Sequence, residues 1–237
     1  MTHLVRIARR FRGPPDSGNG GYSAGVLAAA IDGDAEVTLR RPPPLERALQ
    51  VERAGGATVM RDGDLVVAAA VPTTVGIDAP APVAPDDAAE ASRRCPTLVH
   101  PDWHPFPGCF VCGPDRGPGD GLRVFAGPTS DPSVWAAPWT PAADLADGSG
   151  VVRPEFVWAA LDCPSCSGIY ARGARPASPF VLGRIAVRVD ALPRAGEPHV
   201  ILAWKVGEDG RKTFGASALR DATGRLLAVA RATWLSV

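Results

Sequence analysis

Val157-Trp158-Ala159-Ala160-Leu161-Asp162-Cys163-Pro164-Ser165-Cys166 runs five apolar residues without a break into one carboxylate. A carboxylate in such company is seldom buried without a partner or a task. Upstream, Pro154 and Glu155 suit the first turn of a helix, because proline loses nothing there and an acid complements the helix dipole. Downstream, Pro164 disfavours a helical conformation at Cys163, so the regular helix is expected to stop or kink close to Asp162. At that end of the helix both the dipole and desolvation oppose the charge, which makes a stronger base than a solvated carboxylate. A competing reading has Asp162 capping a second short helix that begins at Cys163-Pro164, and the sequence leaves both open.

An earlier stretch has the same texture. After the turn-rich residues 13–21, the segment from Tyr22 to Ile31 is almost wholly small or apolar, which predicts a short helix buried on all sides. Ser17 or Asn19 is placed to cap it. The glycines Gly20 and Gly21 leave bare N–H groups near its positive end, an arrangement that holds an anion or a developing oxyanion. Equally, they serve only to turn the chain sharply.

Each of these helices is followed by period-two strands. In the first half Val37 and Leu39, then Leu49 and Val51, alternate with polar residues across the bend Pro42-Pro43-Pro44. Ala57–Met60 and Leu65–Val71 flank Arg61-Asp62-Gly63-Asp64, whose Asp-Gly predicts a tight hairpin. In the second half Ile185, Val187 and Val189 alternate with other residues, then Val200 to Val206 leads into a Glu208-Asp209-Gly210 turn. Thr213–Arg220 and Leu226–Leu235 flank Asp221-Ala222-Thr223-Gly224. Helix, strand, bend, strand, turn, strand, turn, strand is thus written twice, in units of about 110 residues. A helix apolar on every side, followed by antiparallel strands, is satisfied best when the sheet curls around it. Further strands are expected at Leu122–Phe125 and Ser133–Trp139.

The bulk composition narrows the function classes. Lys plus Arg equals Asp plus Glu at 25 each, so there is no basic excess of the kind nucleic acid or an anionic membrane surface calls for. No apolar run approaches the roughly 20 residues of a membrane helix. The basic start, with Arg6, Arg9, Arg10 and Arg12, runs into turns and not into a signal-peptide core, so a cytoplasmic location is expected. In that reducing setting five cysteines, an odd number with two close pairs, argue against a disulfide framework.

This pattern resembles the double hot-dog proteins, an α+β fold with two buried helices each wrapped by an antiparallel sheet. Gly20-Gly21-Tyr22 at the first helix resembles the acyl-CoA thioesterases of that fold. Phe106-Pro107-Gly108-Cys109-Phe110-Val111-Cys112-Gly113, followed by Trp158-Ala159-Ala160-Leu161-Asp162-Cys163-Pro164, resembles actinobacterial thioesterase-like proteins. The resemblance implies a first module over 1–75, a Pro/Ala/Asp-rich linker over 76–107 and a second module over 108–237, with further dimerisation left open. It implies hydrolysis of an acyl thioester by water activated at a carboxylate on the second module's helix, where Asp162 stands. Asn19, Gly20, Gly21 and Tyr22, with Cys163 and Ser165, would bind substrate or its oxyanion. The alternative is an acyl or lipid binder that lacks the chemistry. One departure bears on this: the family completes its site with Thr and Gln from the second module, whereas the only Gln here is Gln50, and none of Thr213, Thr223 or Thr233 matches.

The cysteines support a rival reading. Cys109-x-x-Cys112 and Cys163-x-x-Cys166 have ligand spacing for a tetrahedral zinc site. Neither pair lies in a zinc knuckle, and buried free cysteine is common, so no metal or cofactor is expected. A cysteine nucleophile is disfavoured as well, because His3, His100, His104 and His199 suggest no dyad; His100 and His104 precede prolines and are expected in turns.

Overall fold

Asn19 closes the glycine-rich loop by accepting the Tyr22 N–H on its side chain, and α1 (Gly20–Ala28) begins there. The computed structural model describes residues 2–170 and 174–237. Ahead of α1 lies β1 (His3–Arg6), and after it come β2 (Ala35–Leu39), β3 (Ala48–Ala54), β4 (Ala57–Asp62) and β5 (Leu65–Pro72). A connecting segment carries α2 (Pro85–Arg93), α3 (Pro96–Val99) and the short β6 (Gly127–Pro128). The second half then has β7 (Val134–Trp139), α4 (Pro154–Asp162), β8 (Phe180–Val189), β9 (His199–Asp209), β10 (Lys212–Asp221) and β11 (Leu226–Ser236).

The strands form one 11-stranded antiparallel sheet in the order β1-β3-β4-β5-β2-β8-β11-β10-β9-β7-β6. Outward from its centre the two sides correspond: β2-β5-β4-β3-β1 on one, β8-β11-β10-β9-β7 on the other. The sequence repeat is therefore a repeat of topology, and each unit begins with a strand ahead of its helix. The halves join where β2 pairs with β8, from Ala35 opposite Val187 to Thr38 opposite Arg184. The hairpins stand where the turn residues put them, with Gly63, Gly210 and Gly224 all at positive φ.

One expectation changes. The helices do not each have a separate wrapper; α1 and α4 pack on each other inside one continuous sheet. Gly21 and Gly25, one helical turn apart on α1, make this contact close. A Cβ on Gly21 would lie 2.4 Å from Asp162 Cβ and 2.7 Å from the Trp158 carbonyl oxygen, and one on Gly25 would lie 2.7 Å from Glu155 Cα. The core fills the space between this helix pair and the sheet, with Leu27, Phe156, Leu161, Val37, Leu49 and Ile185 all fully buried. An aromatic cluster seals one side, Phe11 stacking on Tyr22 at 4.2 Å and meeting Phe110 edge-on at 5.0 Å.

The segment 76–107 is no bare spacer. Its α2 packs on β7 and β9, and Ala88 and Ala91 join a second apolar cluster with Val134, Val200, Leu202 and Ala218 on the sheet's other face. Strands covered on both faces read as continuous apolar runs, which accounts for Val200-Ile201-Leu202-Ala203 in β9. The stretch 108–125 is also attached differently from expectation. Phe110 donates its N–H to the Arg12 carbonyl and Arg116 reaches the Arg10 carbonyl, so this tract is bound to the loop that leads into α1. Leu122–Phe125 is not a strand: Leu122 and Val124 bond to the carbonyls of Phe110 and Val111, and their burial imitates a strand's alternation. Similarly α1 ends at Ala28, short of Ile31, as the chain tightens into turns. No helix among the described residues is long and apolar enough to cross a membrane.

Candidate active site

The regular helix α4 ends at Asp162, and the chain continues from Cys163 to Tyr170 as a 3₁₀ helix. Cys163 keeps right-handed helical angles, φ −56° and ψ −39°, so the helical path runs unbroken from α4 into the 3₁₀ helix and Asp162 does not stand outside that helix as its cap. Its carboxylate instead crosses to the N-terminus of α1. Oδ2 accepts the Gly21 N–H at 2.9 Å and the Asn19 side-chain amide at 2.9 Å, while Oδ1 has no hydrogen-bond partner among the described residues. The backbone carbonyl of Asp162 accepts from Ser165 Oγ, which in turn accepts from the Trp234 indole N–H at 2.9 Å. Close approach at Gly21, which carries no Cβ, permits the contact between the carboxylate and the α1 N-terminus.

Asp162 is 1% exposed. Burial pushes its carboxyl up to about 7, against the opposing effect of the hydrogen bonds from Gly21 and Asn19, and the neighbouring Cys109 adds to the rise. The carboxylate thus stands where the α4 dipole opposes it and the α1 dipole favours it.

The wall that carries Asp162 belongs to a cavity of about 640 Å³, large enough for a substantial organic ligand. Leu39, Trp103, Tyr170, Phe180, Leu182 and Trp234 supply apolar lining from both halves and the connector. Arg40, Arg41 and Arg175 line it too, and all three are exposed. Asn19, Gly20, Cys109, Cys112 and Cys163 border it beside Asp162.

The structure brings most of the sequence-derived site residues together but assigns their groups differently. Asn19 caps α1 through Oδ1 and steadies Asp162 through Nδ2. The Gly21 and Tyr22 N–H groups are engaged by Asp162 and Asn19, which leaves the Gly20 N–H as the donor without a partner at this helix end among the described residues. Tyr22 turns its ring into the aromatic cluster, where burial raises its hydroxyl to about 12. Ser165 is occupied by the Asp162 carbonyl and Trp234.

The thiols of Cys109, Cys112 and Cys163 cluster beside Asp162, their sulfurs all within 4.8 Å of one another. Cys166 is not among them; it is buried and its thiol is pushed up by desolvation. The S–H groups of Cys112 and Cys163 hold the Cys109 thiol well below its usual range and are themselves raised. His104, expected only as a turn residue, places Nε2 3.3 Å from Cys112 Sγ, and its Nδ1 accepts the Phe106 N–H at 3.0 Å. Its place three residues before Pro107-Gly108-Cys109 was the available signal. Gln50 bonds to Glu52 on β3, Thr223 lies in the last hairpin turn, and neither these nor Thr213 and Thr233 line the cavity.

No family model matches the sequence, and no curated protein matches it significantly. Solved structures do match over the whole chain. The TesB protein of Mycobacterium avium subspecies paratuberculosis aligns over 100% of this chain and 92% of its own, at TM-score 0.64 and 13% identity. A presumed thioesterase II from Thermobifida fusca aligns over the same shares at TM-score 0.62 and 15% identity. A conserved hot-dog protein of unknown function from Alicyclobacillus acidocaldarius also covers 100% of this chain and 92% of its own, at TM-score 0.52 and 12% identity. At such identities the likeness is one of fold. The chain has the hot-dog fold, in the form that these structures share over their length.

Proposed function

We propose that the protein is a double hot-dog hydrolase of acyl-CoA or a related acyl thioester, with Asp162 as the base that activates water. The observation that carries this reading is the asymmetry of the carboxylate. One oxygen is fixed by two donors at the α1 N-terminus, and the other has no partner among the described residues, in a side chain that lines an apolar cavity. A water held on Oδ1 gives its proton to the carboxylate as its oxygen attacks the thioester carbonyl carbon. The oxyanion forms near the α1 N-terminus, where the Gly20 N–H and the helix dipole favour it. Collapse breaks the C–S bond, and the departing thiolate takes the proton from Asp162, leaving free acid and thiol. The exposed Arg40, Arg41 and Arg175 suit an anionic carrier such as a nucleotide-bearing thiol. The thioesterase names among the structural neighbours support the same class.

A second reading, a binder of acyl or lipid ligands without turnover, is favoured by the absence of Gln50, Thr213, Thr223 and Thr233 from the cavity. Release of free thiol from a panel of acyl-CoA substrates separates the two. Turnover that falls by roughly 10²-fold or more in Asp162→Asn, with the fold retained, supports the hydrolase. Saturable ligand binding with no thiol release from the wild type would decide for the binder.

A further inference from the structure

Hydrolysis at Asp162 gives no task to the three thiols beside it. Cys109 and Cys112 come from the turn after Pro107, and Cys163 is the first residue past α4, yet Cys109 Sγ and Cys163 Sγ lie 3.8 Å apart. This is nearly twice the roughly 2.05 Å of a disulfide. It is instead the separation that a regular tetrahedron of sulfurs has around zinc, about 3.8 Å for Zn–S bonds of about 2.3 Å. Cys109-x-x-Cys112 also has the spacing of zinc ligands.

The surroundings suit a bound cation. Asn19 Nδ2 faces Cys109 Sγ at 3.8 Å and Cys163 Sγ at 3.9 Å, and His104 Nε2 faces Cys112 Sγ at 3.3 Å. Each sulfur thus has an N–H neighbour of the kind that orients metal ligands from outside. Three thiolates on a divalent cation leave one net negative charge, which these N–H groups offset. His104 is not a fourth ligand, because the Phe106 N–H on Nδ1 leaves the ring proton on Nε2. Cys166 lies outside the cluster. All three clustered cysteines border the cavity.

We propose that Cys109, Cys112 and Cys163 bind one Zn²⁺ through three thiolates, with solvent water as the fourth ligand on the cavity side. Binding releases the three S–H protons to solvent and forms three Zn–S bonds, with no change of oxidation state. The site ties the 106–113 turn to the end of α4 and sets a Lewis acid beside Asp162. Zinc measured in the full-length protein, purified under reducing conditions without chelator, tests this without any substrate, so the outcome is independent of the hydrolase reading. The expected result is about one zinc per chain, reduced at least tenfold in Cys112→Ser and retained in Cys166→Ser. Wild-type protein stripped of zinc and given Co²⁺ is expected to show thiolate-to-cobalt charge-transfer absorption and tetrahedral ligand-field bands. That readout holds even if Cys112→Ser fails to fold. Zinc-free wild type without a cobalt spectrum would overturn the proposal, as would full zinc retention in a folded Cys112→Ser.

Discussion

Gly21→Ala tests the contact on which the site depends. The added methyl would stand 2.4 Å from Asp162 Cβ and 2.7 Å from the Trp158 carbonyl oxygen. Carbon atoms in contact prefer about 3.5–4.0 Å, so α1 and α4 must separate by roughly 1 Å. Neither obstacle is the free end of a flexible side chain, so the cost belongs at the upper end of overpacking, about 3 kcal/mol. Moving α1 also lengthens the bond from the Gly21 N–H to the carboxylate, a charge-assisted bond worth about 1.5–3 kcal/mol. Against this, alanine favours a helix over glycine by about 1 kcal/mol. A net loss of about 2–4 kcal/mol follows, and at about 2–4 °C per kcal/mol for a chain of this size the melting temperature should fall by roughly 5–15 °C. Thermal unfolding followed by circular dichroism measures it, with Gly20→Ala as the comparison. A methyl on Gly20 meets Leu182 Cβ and Cδ2 at 2.9 Å and Leu39 Cδ1 at 3.1 Å, contacts less close than those at Gly21 and made partly with movable leucine methyls, so its effect should be smaller. A Gly21→Ala melting temperature within about 2 °C of wild type would refute the close helix contact, on the same conversion.

Asp162→Asn should remain folded, because the amide oxygen can still accept from Gly21 and Asn19, whereas Asp162→Ala strands both donors; a melting temperature lower for Asn than for Ala would contradict the hydrogen-bond assignment. Ser165→Ala removes the acceptor of the buried Trp234 indole N–H and should cost about 1–3 kcal/mol, readable in urea unfolding; no change would mean that the indole finds another partner. In the turn at Asp147 the carboxyl is held below its ordinary range by the Ser149 hydroxyl and backbone N–H. A lowered folded value contributes stability above the unfolded value of about 3.9, lost as pH falls through the folded one. Asp147→Asn should therefore show a shallower loss of melting temperature below about pH 4 than wild type, and parallel curves would remove the assignment.

What the chain alone determined is what periodicity and local chemistry express. Two all-apolar helices, the alternation at Val37, Leu49, Val51, Ile185 and Val187, and the Asp-Gly turns each depend on neighbours a few residues away, so the repeat and the antiparallel sheet were legible. The α-helix α4 ends at Asp162, where Pro164 placed its end, although Cys163 keeps helical angles and the chain goes on as a 3₁₀ helix. Tertiary structure alone decided which face of that carboxylate is held. Its partners Asn19 and Gly21 lie more than 140 residues away in sequence, and they meet it because two glycines at i and i+4 let the helices close. Which three of the four paired cysteines come together was likewise undetermined, since Cys163 and Cys166 share a helical segment and only its path past Asp162 sets which thiol faces the 109–112 turn. Spacing along a chain constrains what is local; sheet curvature and the closeness of two helices decide which distant groups share a cavity wall.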